Sequence, residues 1–191
     1  MLKTKIILGS TRQGRFGEQP AKWILEKAKA KGLDAELLDL RDYPLPFFDE
    51  PETPSSKKAP YANPVVTKWT AKIAEADAFI VVTPEYNHGT SAALKNAIDY
   101  VNQEWQKKVV GFVGYGTVGG ARAIEQLRQV FPEIHAATVR AAAMIITPWL
   151  LPKNADGTTD LSSADAQADQ MLDQLTWWGD ALKTAREKDA K

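Results

Sequence analysis

The chain contains no cysteine and only two histidines. The first absence removes disulfides, iron–sulfur clusters and thiolate chemistry. The second leaves no basis for a multi-histidine metal site. No apolar run reaches the roughly 20 residues that a membrane-spanning helix needs. The amino-terminal MLKTKII is basic but lacks the apolar core and small-residue cleavage site of a secretion signal, so the expected location is cytoplasmic. Lys plus Arg and Asp plus Glu are equal, at 24 each. No excess charge therefore draws the chain to nucleic acid or to an anionic membrane. What remains is a chain of 191 residues, 44% hydrophobic, enough for one domain over 1–191 with a substantial core.

The apolar pattern is that of alternating strands and helices. TKIILG (4–9) is a continuous apolar run, as expected of a strand buried on both faces. A helix over 18–31 follows, with Ala21, Ile24, Leu25 and Ala28 at helical spacing, Pro20 in its first turn and Gly32 closing it. DAELLDL (34–40) is the second strand. Residues 41–64 are rich in Pro and charge, yet Tyr43, Leu45, Phe47 and Phe48 are too apolar for a free tether. They predict a long connection packed on the domain. Further helices are expected over 65–76, 90–104 and 119–131, with strands over 77–84, 108–115 and 136–146. A last helix carries Ala168, Met171, Leu172, Leu175, Trp178 and Leu182 as its inner stripe. Such alternation means a parallel sheet covered on both faces. With five strands the flavodoxin-like order 2-1-3-4-5 is the natural candidate, its ligand crevice at the carboxyl ends of strands 1 and 3.

Three unusual loops fall at that edge: GSTRQGRFG (9–17), TPEYNHGTS (83–91) and GYGTVGGAR (114–122). In the first, backbone N–H groups at a helix start make an anion site. Ser10 and Thr11 add hydroxyls, and Arg12 or Arg15 adds a charge-assisted contact to phosphate. In the second, Pro84 stiffens the entrance and Gly89 frees the exit. Tyr86 offers a face to stack on, Asn87 a polar handle for ring heteroatoms, and His88 a binding group or a general base. Glu85 is placed to cap the following helix, pair locally or touch ligand. In the third, the glycines let backbone approach a flat ligand closely.

Two familiar motifs are mimicked. Gly9 and Gly14 have P-loop spacing, but Arg15 stands where the Lys is required and Phe16 where the Mg²⁺-binding hydroxyl belongs. Gly114, Gly116 and Gly119 match the dinucleotide fingerprint, but after the fourth strand and without the acidic residue about twenty positions on. Arg140 lies near that point instead. A phosphate loop at the switch point beside a ring-binding loop implies a phosphorylated flat ligand; FMN fits, and ATP fits poorly.

On these motifs the chain resembles the NAD(P)H-dependent FMN reductases of flavodoxin-like fold, which include quinone, chromate and azo-dye reductases. The matching stretches are GSTRQGRFGE, PEYNHGTSAALKNAID and GYGTVGGARAIEQLR. The resemblance implies a three-layer sandwich around a five-stranded parallel sheet. Ser10, Arg12, Arg15, Phe16 and Gly17 would hold the phosphate and ribityl end of FMN. Pro84, Glu85, Tyr86, Asn87 and His88 would border the isoalloxazine, and Gly114, Tyr115, Gly116 and Gly119 would complete the site beside the ring. Many members carry Ser and Asn where this chain has Arg15 and Gly17. NADPH or NADH would be the electron donor and a quinone, free flavin, azo compound or metal oxyanion the acceptor. Donor and acceptor would use one open flavin face in turn. A homodimer or homotetramer is implied, with the 84–104 region and its aromatics Tyr100 and Trp105 near the interface. The alternative class is a non-enzymatic FMN protein, either electron carrier or redox sensor.

Overall fold

The computed structural model describes residues 1–57 and 59–189. Its elements run β1 (Lys3–Leu8), α1 (Glu18–Ala30), β2 (Asp34–Asp39), α2 (Pro64–Ala74), β3 (Ala78–Pro84), α3 (Ala92–Asp99), β4 (Val109–Gly116), α4 (Ala121–Glu133), β5 (Ala137–Ile146) and α5 (Asp165–Asp189), with short 3-10 turns between. The strands form one parallel sheet in the order β2-β1-β3-β4-β5, the flavodoxin-like arrangement expected.

Period-2 alternation sorts each strand's side chains between two cores. Ile6, Leu8, Ile80, Val82, Val109 and Val113 face α1 and α5. Ile7, Phe79, Val81, Val110 and Phe112 face α2, α3 and α4. Both layers are continuous and apolar, so β1, β3 and β4 are almost entirely buried. The outer edge of β5 is blunted: Gln174 and Gln167 on α5, two turns apart, accept the N–H groups of Ala141 and Met144. Edge N–H groups left open would template pairing with another chain.

Four expectations need correction. The helix proposed over 90–104 ends at Asp99, and a 3-10 turn at Gln103–Trp105 swings Trp105 into the core. There Trp105 packs edge-on against Phe79 and Phe131, while Tyr100 is buried beneath Phe48 and Tyr61. Neither aromatic is available to an interface. On α5, Trp178 is 44% exposed and Gly179 takes the inner position. A Cβ at Gly179 would stand 2.7 Å from a Leu2 methyl, so that seam has no room for an indole. In the 41–64 connection Tyr43 is buried and Leu45 and Phe48 pack on the core; Phe47 points outward, 79% exposed.

Candidate active site

The loop after β1 leaves the sheet at Gly9 and re-enters regular structure at Glu18, at the β1/β3 switch point. Gly9 N–H donates to Val82 O at 2.9 Å, and Arg15 N–H to Arg12 O at 3.3 Å. The N–H groups of Ser10, Thr11, Arg12, Gln13, Gly14, Phe16 and Gly17 have no backbone acceptor among the described residues. A run of such amides ahead of a helix is a ready anion cradle. Arg12 is exposed, and among the described residues its guanidinium makes no hydrogen bond or ion pair.

Arg15 lies elsewhere than expected. Its side chain is buried beneath the loop. It forms a two-pronged ion pair with Asp39 at the end of β2, with one contact at 2.7 Å. It also donates to Ser10 O at 2.6 Å and to Glu18 at 3.1 Å. Pairing with Asp39, against the opposing effect of burial, holds Arg15 more firmly protonated than a free guanidinium. Burial works against the charge on Asp39 too, but Arg15 and the Arg41 amide keep its carboxyl below the usual range. Arg15 therefore serves the loop's architecture and does not face its outer surface. Sequence reasoning missed Asp39 and Arg41. Their one signal was a charged DLRD at the carboxyl end of the strand beside β1.

The loop after β3 is a two-residue hairpin. Tyr86 and Gly89 exchange N–H···O bonds of 2.8 and 3.0 Å. Between them Asn87 and His88 both have positive φ, 49° and 70°, the pattern of a type I′ turn. Asn and His are both among the side chains that enter this region most often, yet each carries a backbone cost there that glycine escapes. Contacts from α4 hold the tip: Arg122 Nη1 lies 2.7 Å from His88 Nε2, and Gln126 donates to His88 O at 2.9 Å. A guanidinium only donates, so His88 Nε2 is the acceptor. At the base, Thr83 and Thr90 hydroxyls bond at 2.8 Å. Ser91 caps α3 and donates to Gly9 O, tying this loop to the first.

Tyr86 leans over the first loop, with its hydroxyl 2.8 Å from Ser10 Oγ. Tyr115, at the end of β4, points to the same place. Its hydroxyl is buried without a hydrogen-bond partner among the described residues, and its ring meets Phe16 edge-on at 5.4 Å. Burial, with Tyr86 nearby, raises the Tyr115 phenol well above its ordinary pKa. A Cβ on Gly17 would come within 2.6 Å of Tyr115 Oη, so glycine is required there for contact. Tyr115 thus stands at the first loop, by Ser10 and Gly17.

Glu85 reaches neither its own helix nor the crevice. Its carboxylate accepts the Arg122 amide at 3.0 Å and pairs with the Arg122 guanidinium, plugging the N-terminus of α4. Burial opposes ionisation, but these partners keep its pKa below the usual value. That settles the dinucleotide look-alike: the helix N-terminus that would take a pyrophosphate already holds a carboxylate. The glycines there serve the chain itself. A Cβ on Gly114 would collide with Gly119 O, and one on Gly119 would sit 2.7 Å from Met144 Cβ. They let the 116–120 turn fold back on its own sheet. Only Gly116, whose nearest neighbour on that side is Glu85 Cβ at 3.6 Å, has space before it.

Two hollows lie apart from these loops: one of about 360 Å³ between α2 and the 54–61 connection, and one of about 550 Å³ between α1 and residues 154–165.

A parallel sheet in this order, with an amide-lined loop after β1 and a strained hairpin after β3, defines a flavodoxin-like α/β protein. A family profile described as NADPH-dependent FMN reductase matches residues 2–149. A Schizosaccharomyces pombe protein named NAD(P)H-dependent FMN reductase is 40% identical over 129 residues, 67% of this chain and 64% of that protein. The match thus spans slightly under two thirds of that relative. A Solanum tuberosum protein named NAD(P)H:quinone oxidoreductase is 34% identical over 71% of each chain. In fold, the chain is similar to the flavoenzyme NAD(P)H:(acceptor) oxidoreductase of Paracoccus denitrificans, with a TM-score of 0.71 at 23% identity, covering 92% of this chain and 98% of that one. The chain belongs to the NADPH-dependent FMN reductase family.

Proposed function

We propose that this chain binds FMN and uses it to pass electrons from NADPH or NADH to a small acceptor: a quinone, free flavin, azo compound or metal oxyanion. The observation that carries the reading is the 9–17 loop, where among the described residues the amides lack backbone acceptors, Arg12 is unpaired and the buried Tyr115 hydroxyl beside them has no partner. A phosphate answers all three. Ser10, Arg12, Gly17 and the loop amides would hold that phosphate, with Phe16 and Tyr115 walling the ribityl end. The hairpin Pro84–His88 and the turn at Gly116 would border the flat ring. When bound, FMN accepts hydride and releases electrons singly or in pairs. The chain's own work is placement, because among the described residues no acid–base pair converges on the crevice. His88 accepts from Arg122 at Nε2 and has no proton to give there. Glu85 is committed to α4.

An exposed apolar rim beside the loops favours a second copy of the chain as their cover, in a homodimer or homotetramer. Val118, Ile146, Trp149 and Leu150 expose an apolar rim beside the third loop, tied there by the Thr147 N–H to Gly116 O bond of 2.8 Å.

The test is to purify the protein with FMN, record its visible spectrum, and follow NADPH and NADH oxidation against an acceptor panel. Multiple turnovers with at least one acceptor support the reductase. Tightly bound FMN without nicotinamide oxidation would overturn it and make the chain a carrier or sensor.

A further inference from the structure

Three consecutive carbonyls of the 9–17 loop point backward into guanidinium groups. Ser10 O accepts from Arg15 Nη1 at 2.6 Å, Thr11 O from Arg41 Nε at 3.3 Å, and Arg12 O from Arg41 Nη2 at 2.6 Å. All peptides here are trans. In a trans peptide the carbonyl and the N–H that follows it point in opposite directions. The N–H groups of Thr11, Arg12 and Gln13 are therefore turned to the loop's other side, and among the described residues none has a backbone acceptor.

A polar surface loop has no intrinsic reason to hold three peptide planes in one sense. Water satisfies N–H and C=O equally well on either side. The bias comes from the two arginines, and Asp39 sets both of them. Its carboxylate fixes the Arg15 guanidinium and accepts the Arg41 backbone N–H at 2.9 Å. Glu18 adds contacts to both side chains, at 3.1 Å to Arg15 and 3.4 Å to Arg41. Arg15 is deeply buried, and its replacement would disturb the core. Arg41 is 38% exposed along its side chain and can be altered more locally.

We propose that Arg41 is a positioning residue for the anion loop. From the carbonyl side, it orients the amides of Arg12 and Gln13 outward without itself touching the bound anion. A phosphate meeting the cradle then finds donors already aligned. Without Arg41, the Thr11 and Arg12 carbonyls are free to rotate into the cradle, where their partial negative charge repels the ligand. This inference rests on the reading that the FMN phosphate occupies this loop, and the experiment separates the two.

FMN and riboflavin are titrated into wild type, Arg41→Ala, Arg41→Lys and Arg12→Ala, with urea unfolding of each ligand-free protein as the folding control. Two misaligned amides should weaken FMN binding on the order of tenfold in Arg41→Ala, with riboflavin affinity and the unfolding midpoint nearly unchanged. Arg41→Lys should recover only part of the loss, because one ammonium lacks the fork that spans both carbonyls. The lysine variant carries the test should the alanine variant fail to fold. If Arg12→Ala weakens FMN selectively but both Arg41 variants bind it as wild type does, the positioning role is refuted while the phosphate site stands. Parallel loss of FMN and riboflavin in Arg41→Ala also refutes it, since that marks a general structural defect. FMN affinity unchanged in Arg12→Ala removes the phosphate from this loop and the proposal with it.

Discussion

Replacing His88 by alanine and, separately, by glycine divides two properties of the 86–89 hairpin. Both changes remove the 2.7 Å contact to Arg122. That contact is solvent-exposed and Arg122 keeps Glu85 as partner, so its loss costs about 0.5–1 kcal/mol. The backbone separates the variants. At a φ of 70°, a residue with a Cβ stands in the left-handed region at a cost of roughly 1–2 kcal/mol, which glycine escapes. Glycine in turn loosens the unfolded chain by about 0.4–1 kcal/mol. The glycine variant should therefore be more stable than the alanine variant by about 1 kcal/mol, or ~2–4 °C in Tm for a chain of this size. Urea unfolding and thermal melts, read side by side, give the difference. Steady-state turnover of the FMN-loaded proteins gives the second reading. An imidazole that accepts at Nε2 holds the hairpin and moves no proton there, so His88→Ala should keep substantial kcat and shift mainly flavin or substrate affinity. An alanine variant as stable as the glycine one refutes the strained turn. A fall in kcat beyond about a thousandfold with FMN bound refutes the binding role, because general acids and bases contribute about 10²–10⁴-fold.

Arg12→Ala should weaken FMN binding by about one to two orders of magnitude, since a charged hydrogen bond contributes roughly 1.5–3 kcal/mol. Riboflavin should bind wild type and variant about equally poorly, and titration of both flavins checks it. At the opposite end of the sheet, buried Lys108 donates to Ile73 O at 2.8 Å and Ala74 O at 3.0 Å, closing α2. Burial and the nearby Arg186 lower its pKa from 10.5 to about 8. Between those values the unfolded chain binds the extra proton, so the contribution of Lys108 to stability should rise with pH, by about 2 kcal/mol from pH 8 to 10. Across that range the urea midpoint of wild type should rise relative to that of Lys108→Met, the difference isolating Lys108 from the buried tyrosines, whose raised pKa values act in the opposite sense. Light scattering at micromolar concentration should give at least twice the chain mass; a monomer that still turns over refutes the shared crevice.

Alternating apolar segments, the Pro20 and Gly32 helix boundaries and the three loop motifs are local patterns, and local patterns were enough for the element order, the sheet topology and the edge at which the three loops meet. Burial on both faces makes β1 and β3 read as unbroken apolar runs, and parallel strands demand intervening helices. Ser10 and the amides of the first loop were legible as candidates for the same reason: their neighbours along the chain make the proposed anion cradle. Tertiary structure decided whatever depends on partners distant in sequence. Whether Arg15 faced solvent or the interior turned on Asp39, 24 residues away. Whether Glu85 capped its own helix or the next turned on Arg122, 37 residues away. Trp105 and Tyr100 became core because Phe79, Phe131, Phe48 and Tyr61 arrive from other elements, and Gly179 displaced Trp178 from the inner stripe because Leu2 lies against it. The sense in which the loop's peptide planes turn belongs to this second kind. Each plane can rotate at little local cost, and it is Arg15 beneath the loop and Arg41, reaching across from the end of another strand, that bond the carbonyls and select the direction.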